Sequence, residues 1–121
     1  MFGIKEYIEK HEFGFIMGYM KCAVWSEELE SANLQISKET RGRMFDDCLE
    51  FLEKAQDLIT NEQWSQAGHD FWLTRNGHGT GFWDRPEIYG EENAKKLTEI
   101  SHGFGEYVIY ADDETNQIDG Y

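Results

Sequence analysis

Basic residues are scarce: 11 lysines and arginines stand against 24 aspartates and glutamates in 121 residues. They are scattered, so the chain lacks the basic patch that a nucleic-acid interface needs. The formal net charge of −13 repels nucleic acid and anionic lipid alike. No apolar run approaches the roughly 18 residues of a membrane span. The opening Met1-Phe2-Gly3-Ile4-Lys5-Glu6 has no basic stretch followed by an apolar one, so no signal peptide is read. Cysteine is also sparse. Cys22 and Cys48 both fall on apolar helix faces and read as buried free thiols of a reducing compartment, with a disulfide or a metal pair as the alternatives.

Apolar and aromatic residues are well supplied, at 40% and 15% of the chain. A core built on Phe, Trp and Tyr follows, each burying about 150–250 Å², and intrinsic disorder is excluded despite the charge. The length suits one domain over residues 1–121. Charge is unevenly spread. Residues 46–63 carry six acidic side chains against one basic, residues 64–85 two of each, and residues 86–121 nine against two. A neutral aromatic centre is flanked by acidic segments.

Periodicity predicts the elements. Phe13, Ile16, Met17, Met20, Ala23 and Val24 recur at spacings of three and four, giving a helix from Phe13 to Trp25. A polar connection follows to Ile36. Ser37 then caps a helix from Lys38 to Ile59, with Met44, Phe45, Cys48, Leu52, Ala55, Leu58 and Ile59 inward and Phe51 at the edge. Its opposite face aligns Asp46, Glu50, Glu53 and Asp57 in one acidic line. In His69–Thr74, Phe71 and Leu73 alternate with Asp70, Trp72 and Thr74, which is strand-like. Asn76-Gly77 signals a turn and Phe82-Trp83 a return strand, so a central β-hairpin with a glycine-rich tip is predicted. Glu91–His102 reads as a helix broken by Gly103 and Gly105. Tyr107–Tyr110 and Gln117-Ile118 read as short strands around a turn at Asp112-Asp113-Glu114. The expected class is α+β, amphipathic helices packed on a small antiparallel sheet.

The stretch Ala67-Gly68-His69-Asp70-Phe71-Trp72-Leu73-Thr74-Arg75-Asn76-Gly77-His78-Gly79-Thr80-Gly81-Phe82-Trp83-Asp84-Arg85 resembles the signature of a set of small bacteriophage proteins of similar length. The likeness extends more weakly to Trp25-Ser26-Glu27, Asp46-Asp47-Cys48 and Leu97-Thr98-Glu99. It implies a phage origin and expression in the host cytoplasm. It implies no activity and no catalytic residue.

Chemistry is thinly supported. His69, Asp70, His78 and Asp84 are metal-ligand types at a spacing that matches no metal motif, so no metal site is assigned. Gly77–Gly81 shares only its glycines with a phosphate loop and lacks the Lys-Ser/Thr ending, and no cofactor is expected. Binding is better supported. The line Asp46, Glu50, Glu53 and Asp57, with Asp112 and Asp113, can imitate a nucleic-acid backbone toward a protein with a basic surface. Trp72, Trp83 and Tyr107 are candidate aromatic anchors, and Arg75 and His78 candidate contacts on the hairpin tip. The structural alternatives are that Trp72 and Trp83 cover the sheet while the glycines only permit the turn, and that the acidic line is a solvated helix face. The leading expectation is an acidic protein-binding protein that inhibits a host nucleic-acid-binding defence or processing protein. The alternatives are a small enzyme or metal-dependent protein using His69, Asp70, Arg75 and His78, and a virion accessory protein.

Overall fold

The computed structural model describes the backbone of residues 2–121 and the side chains of residues 12–121. The fold is α+β, with helices packed on a small two-stranded antiparallel sheet. Helix α1 spans Phe2–Ser26, α2 Lys38–Ala55, α3 Trp64–Arg75, α4 Pro86–Tyr89 and α5 Glu91–His102; β1 is Ile109–Asp112 and β2 Gln117–Gly120. Single 3-10 turns at Glu30–Ala32, Gln56–Leu58, Asn61–Gln63 and Phe82–Asp84 lie between them.

Helix α2 starts where its sequence says. Ser37 accepts the Thr40 backbone N–H at 3.2 Å and donates to the Thr40 hydroxyl at 2.9 Å, filling one of the orphan donors of the first turn. The inward stripe is Thr40, Met44, Cys48, Phe51, Leu52 and Ala55. The helix is therefore turned slightly from the expected phase: Phe51 is fully buried and Phe45 faces out at 45% exposure. Phe51 wins the interior because its ring stacks on Phe71 at 4.3 Å and on Phe15 at 5.4 Å. The helix gives way to the 3-10 turn Gln56–Leu58 before Ile59.

The central β-hairpin does not form. Residues 64–75 are helix α3, and Phe82-Trp83 lie in a 3-10 turn rather than a return strand. Nine of the twelve α3 residues are buried, among them Trp64, Ala67, Gly68, Phe71, Trp72 and Arg75 at helical spacing. A helix covered on nearly every side has no polar stripe, so a short window through it can pass for a strand. The Asn76-Gly77 turn is present, with Gly77 at φ 67°, but it ends a helix.

Helices α1 and α3 cross in backbone contact. A Cβ on Gly68 would collide with the Phe15 carbonyl oxygen, and one on Gly18 with the Ser65 carbonyl oxygen. The approach seats Phe15 and Tyr19 on Phe71 (ring centroids 6.1 and 5.2 Å) and Tyr19 edge-on to Trp72 at 5.3 Å. The core face of α1 is thus Phe15, Ile16, Tyr19, Cys22 and Ala23, while Phe13 is exposed and Met17, Met20 and Val24 are half-buried.

Helix α5 matches its expected bounds and buries Ala94, Leu97 and Ser101. The single hairpin lies at the C-terminal end of the chain. Its register pairs Ile109 with Gly120 and Ala111 with Ile118. On its other edge β2 makes a parallel bridge to the segment before α2: Ser37 N–H donates to Ile118 O at 2.8 Å and Ile118 N–H to Gln35 O at 2.9 Å. Ile109 and Ile118 join the core.

The glycine crossing yields a test. Gly68→Ala should destabilise by about 3 kcal/mol, because carbonyl oxygen and backbone must move apart. Gly42→Ala, in α2 with nothing within 4 Å of the added carbon, should stabilise by about 1 kcal/mol. Urea unfolding of both variants measures the contrast.

Candidate functional site

The segment 67–85 holds the most distinctive polar side chains, and the fold buries Asp70, Thr74 and Arg75 and leaves most of the others half-buried. Asp70 is fully buried on α3. Its Oδ2 accepts the Tyr89 hydroxyl at 2.7 Å, and its Oδ1 accepts Arg85 Nε at 2.9 Å and Gln66 Nε2 at 3.0 Å. Burial, with the Asp70 charge next, holds the Tyr89 phenol far above its ordinary range, so it acts as a fixed donor. Thr74 Oγ1 accepts the Phe82 N–H at 3.1 Å. Gly81, at φ 151°, lies so close to the Thr74 hydroxyl that a side chain would strike it. Asp84 accepts the Gly81 N–H at 3.0 Å and the Thr80 hydroxyl at 3.0 Å, and the Gly81 bond is the main cause that lowers its carboxyl below the usual range.

Arg75 is a candidate contact only if it stands on an exposed hairpin tip. It lies instead at a buried junction. Its Nε donates to Gly105 O at 2.8 Å and its Nη2 to Phe104 O at 3.2 Å. Its Nη1 donates to Tyr19 Oη at 3.0 Å and to Asp47 Oδ2 at 2.7 Å. The rings of Phe71, Phe104 and Tyr107 surround the guanidinium at 5.5–5.7 Å. Trp72 is likewise no partner anchor: it is fully buried, and its indole N–H donates to Ser26 Oγ at 2.8 Å. Tyr107 is buried beneath Arg43, whose guanidinium lies 5.4 Å from its ring. Trp72 and Arg75 point inward because they stand on a helix, where phase rather than alternation decides direction.

The remaining candidates face solvent. Asp46, Glu50 and Glu53 are exposed on α2, and Asp57 is exposed on the 3-10 turn that continues it. Lys54 interrupts the line, pairing with Glu50 at 3.3 Å and lying 5.1 Å from the Phe104 ring. Asp113 is exposed and Asp112 half-buried, its Oδ1 accepting the Glu114 N–H at 2.9 Å. Trp83 is 53% exposed. His78 is half-buried, with Nε2 3.3 Å from Glu27 Oε2. The sequence reading missed Trp25, which is 56% exposed beside the His69 ring, centroids 6.2 Å apart. Its place at the end of an aromatic- and methionine-rich helix was the available signal.

The arrangement offers little for bond-making chemistry. Cys22 and Cys48 are free and buried. Burial pushes the Cys22 thiol up to about 12, with the Asp70 charge adding to it, and burial likewise raises Cys48 well above its ordinary value. Neither is a thiolate at neutral pH. Among the described residues, no three His, Cys, Asp or Glu side chains gather where they could hold a metal ion. Among those residues, too, no helix is long and apolar enough to cross a membrane. No family profile, curated protein or solved structure matches the chain.

Two outcomes follow. Arg75→Ala should cost about 3 kcal/mol in urea unfolding, since it strands Asp47 and two carbonyls. Arg75→Lys should recover less than half, because an ammonium lacks the planar fork that serves four acceptors. His78→Ala should stay within about 0.5 kcal/mol, as a partly exposed pair contributes little. Separately, both thiols should resist a disulfide reagent at neutral pH in the native protein and react fully in denaturant. Rapid native labelling would contradict their burial.

Proposed function

We propose that this chain works by binding a protein, presenting the carboxylates of α2 to a basic surface that otherwise holds nucleic acid. The observation that carries the reading is a contrast. Of the charged side chains of the distinctive segment, Asp70, Arg75 and Arg85 are spent on internal pairs and exposed Asp84 holds the Gly81 N–H and the Thr80 hydroxyl, whereas Asp46, Glu50, Glu53 and Asp57 stand outward with one ion pair among them. Asp46, Glu50 and Glu53 are about 4.5–6 Å apart along α2 by the helical rise, with Asp57 on the turn beyond. The charges of one nucleic-acid strand recur every roughly 3.4 Å of duplex axis, a spacing of the same order. Exposed Trp83 is an aromatic of the type that anchors protein interfaces. A net charge of −13 speeds encounter with a cationic partner. In the phage setting that the resemblance implies, the partner is a host protein acting on nucleic acid in the cytoplasm, and the effect is inhibition by occupancy.

The test combines capture with competition. Immobilised protein should retain a host-lysate protein at low salt, release it when salt reduces the Debye length to about 3 Å, and release it to added duplex DNA. The variant Asp46→Asn/Glu50→Gln/Glu53→Gln/Asp57→Asn should fold with an unchanged or higher melting temperature, because repulsion falls, and capture nothing. Equal capture by the folded variant would sink the reading. So would tight binding of DNA by the protein itself.

A further inference from the structure

Helix α1 has a second apolar face that the core covers only in part, Met20 and Val24 packing against it while remaining half-exposed. Phe13, Met17, Met20 and Val24 recur at intervals of four, three and four, which aligns them along one side of the helix. Phe13 is 66% exposed and the other three are half-buried. Leu34 and Ile36 form the facing wall, and Trp25 stands at the end nearest the C-terminus of α1. Met17, Met20, Val24, Trp25, Leu34 and Ile36 bound an open groove of about 640 Å³, with Phe13 on the same helix face beyond it. A contiguous exposed apolar surface of this kind marks an interaction site more often than a solvated face.

We infer that this groove is the docking site for a basic amphipathic helix of a partner protein. Three observations select that occupant. Met17 to Val24 covers about 10 Å along the axis at 1.5 Å per residue, two turns, and Phe13 extends the same stripe by one more, which suits an apolar stripe of matching period on a second helix. Met17 and Met20 supply adaptable, unbranched contact surface. Charge then fixes the sign. Glu27, Glu28 and Glu30 cluster where α1 ends. The last turn of α1 has no basic residue to offset its partial negative charge. Lys21 is the one cation lining the groove. A second copy of the chain would bring the same glutamates and another −13, so charge disfavours self-pairing. An anionic membrane is disfavoured on the same ground. The groove is separate from the α2 carboxylates and does not depend on their role.

The test uses a designed peptide of about four helical turns, with Leu at matching intervals of four, three and four and Lys elsewhere. Two controls replace every Leu with Gln or every Lys with Glu. Calorimetry should show one-to-one binding of the first peptide and at least about tenfold weaker binding of both controls, the change expected when one good anchor is lost. In methyl spectra of the wild-type protein, Met17 and Met20 should shift on titration and fully buried Met44 should not. Met17→Gln/Met20→Gln should weaken binding at least about tenfold, while the α2 quadruple variant should change it less than about threefold. Equal affinity for the Leu and Gln peptides would mean that charge alone is read and would overturn the inference. Silent Met17 and Met20 methyls would do so even if the double variant failed to fold. A dimer by sedimentation, with those methyls shifting on dilution, would assign the groove to a second copy instead.

Discussion

The backbone contact between α1 and α3 is the constraint on which the rest of the molecule depends. Gly18 and Gly68 let two helices approach until Gly68 faces the Phe15 carbonyl oxygen and Gly18 that of Ser65. That proximity favours weak Cα–H···O contacts and excludes any side chain. Because the axes are so close, the large rings must lie to either side of the crossing. On one side Phe15, Tyr19, Phe51, Phe71 and Phe82 stack into a single aromatic core. On the other, His69 meets Trp25 and completes the rim of the α1 groove. Core and groove are two products of one crossing.

Two buried ionic groups then pin the elements that lack such close packing. Asp70 ties α3 to Arg85 and Tyr89, and Arg75 ties it to α1, α2 and the loop after α5. Ion pairs this deep contribute little net stability compared with apolar residues of the same size, but an unmatched partner is strongly penalised. In both pairs one member keeps some water: side-chain exposure is 30% for Asp47 and 26% for Arg85. That moderates the desolvation cost. The pins specify which element lies against which, a task that interchangeable aromatic contacts perform poorly.

Much of this was legible in the sequence. Ser37 announced α2, Gly103 closed α5, and the acidic line followed from helical phase alone because one side of α2 is solvated. The C-terminal hairpin showed as two short β-rich runs around an acidic turn. Helix α3 was misread for a physical reason: burial on nearly all sides removes the polar stripe by which a helix is recognised, and five residues of chance alternation filled the gap. The overlooked signal lay just upstream. Thr60-Asn61-Glu62-Gln63 has capping-box spacing, and Gln63 Oε1 accepts the Thr60 N–H at 2.9 Å. Once 64–75 is helical, the inward directions of Trp72 and Arg75 follow. Phe45 and Phe51 traded places because α2 shows apolar residues on both sides of its stripe, and the rings of Phe71, Phe15 and Phe82 decide between them. The groove was hidden differently, since its far wall at Leu34 and Ile36 comes from a connection without regular period.

The Arg75 junction also orders events in time. Its acceptors Phe104 and Gly105 lie about thirty residues downstream, and Ile118, which bridges back to residues 35–37, comes later still. A chain emerging from the ribosome can bring α1, α2 and α3 together, but their central guanidinium keeps two unmatched donors until α5 and the turn beyond it have been made. A segment synthesised after them is therefore what seals the first three helices.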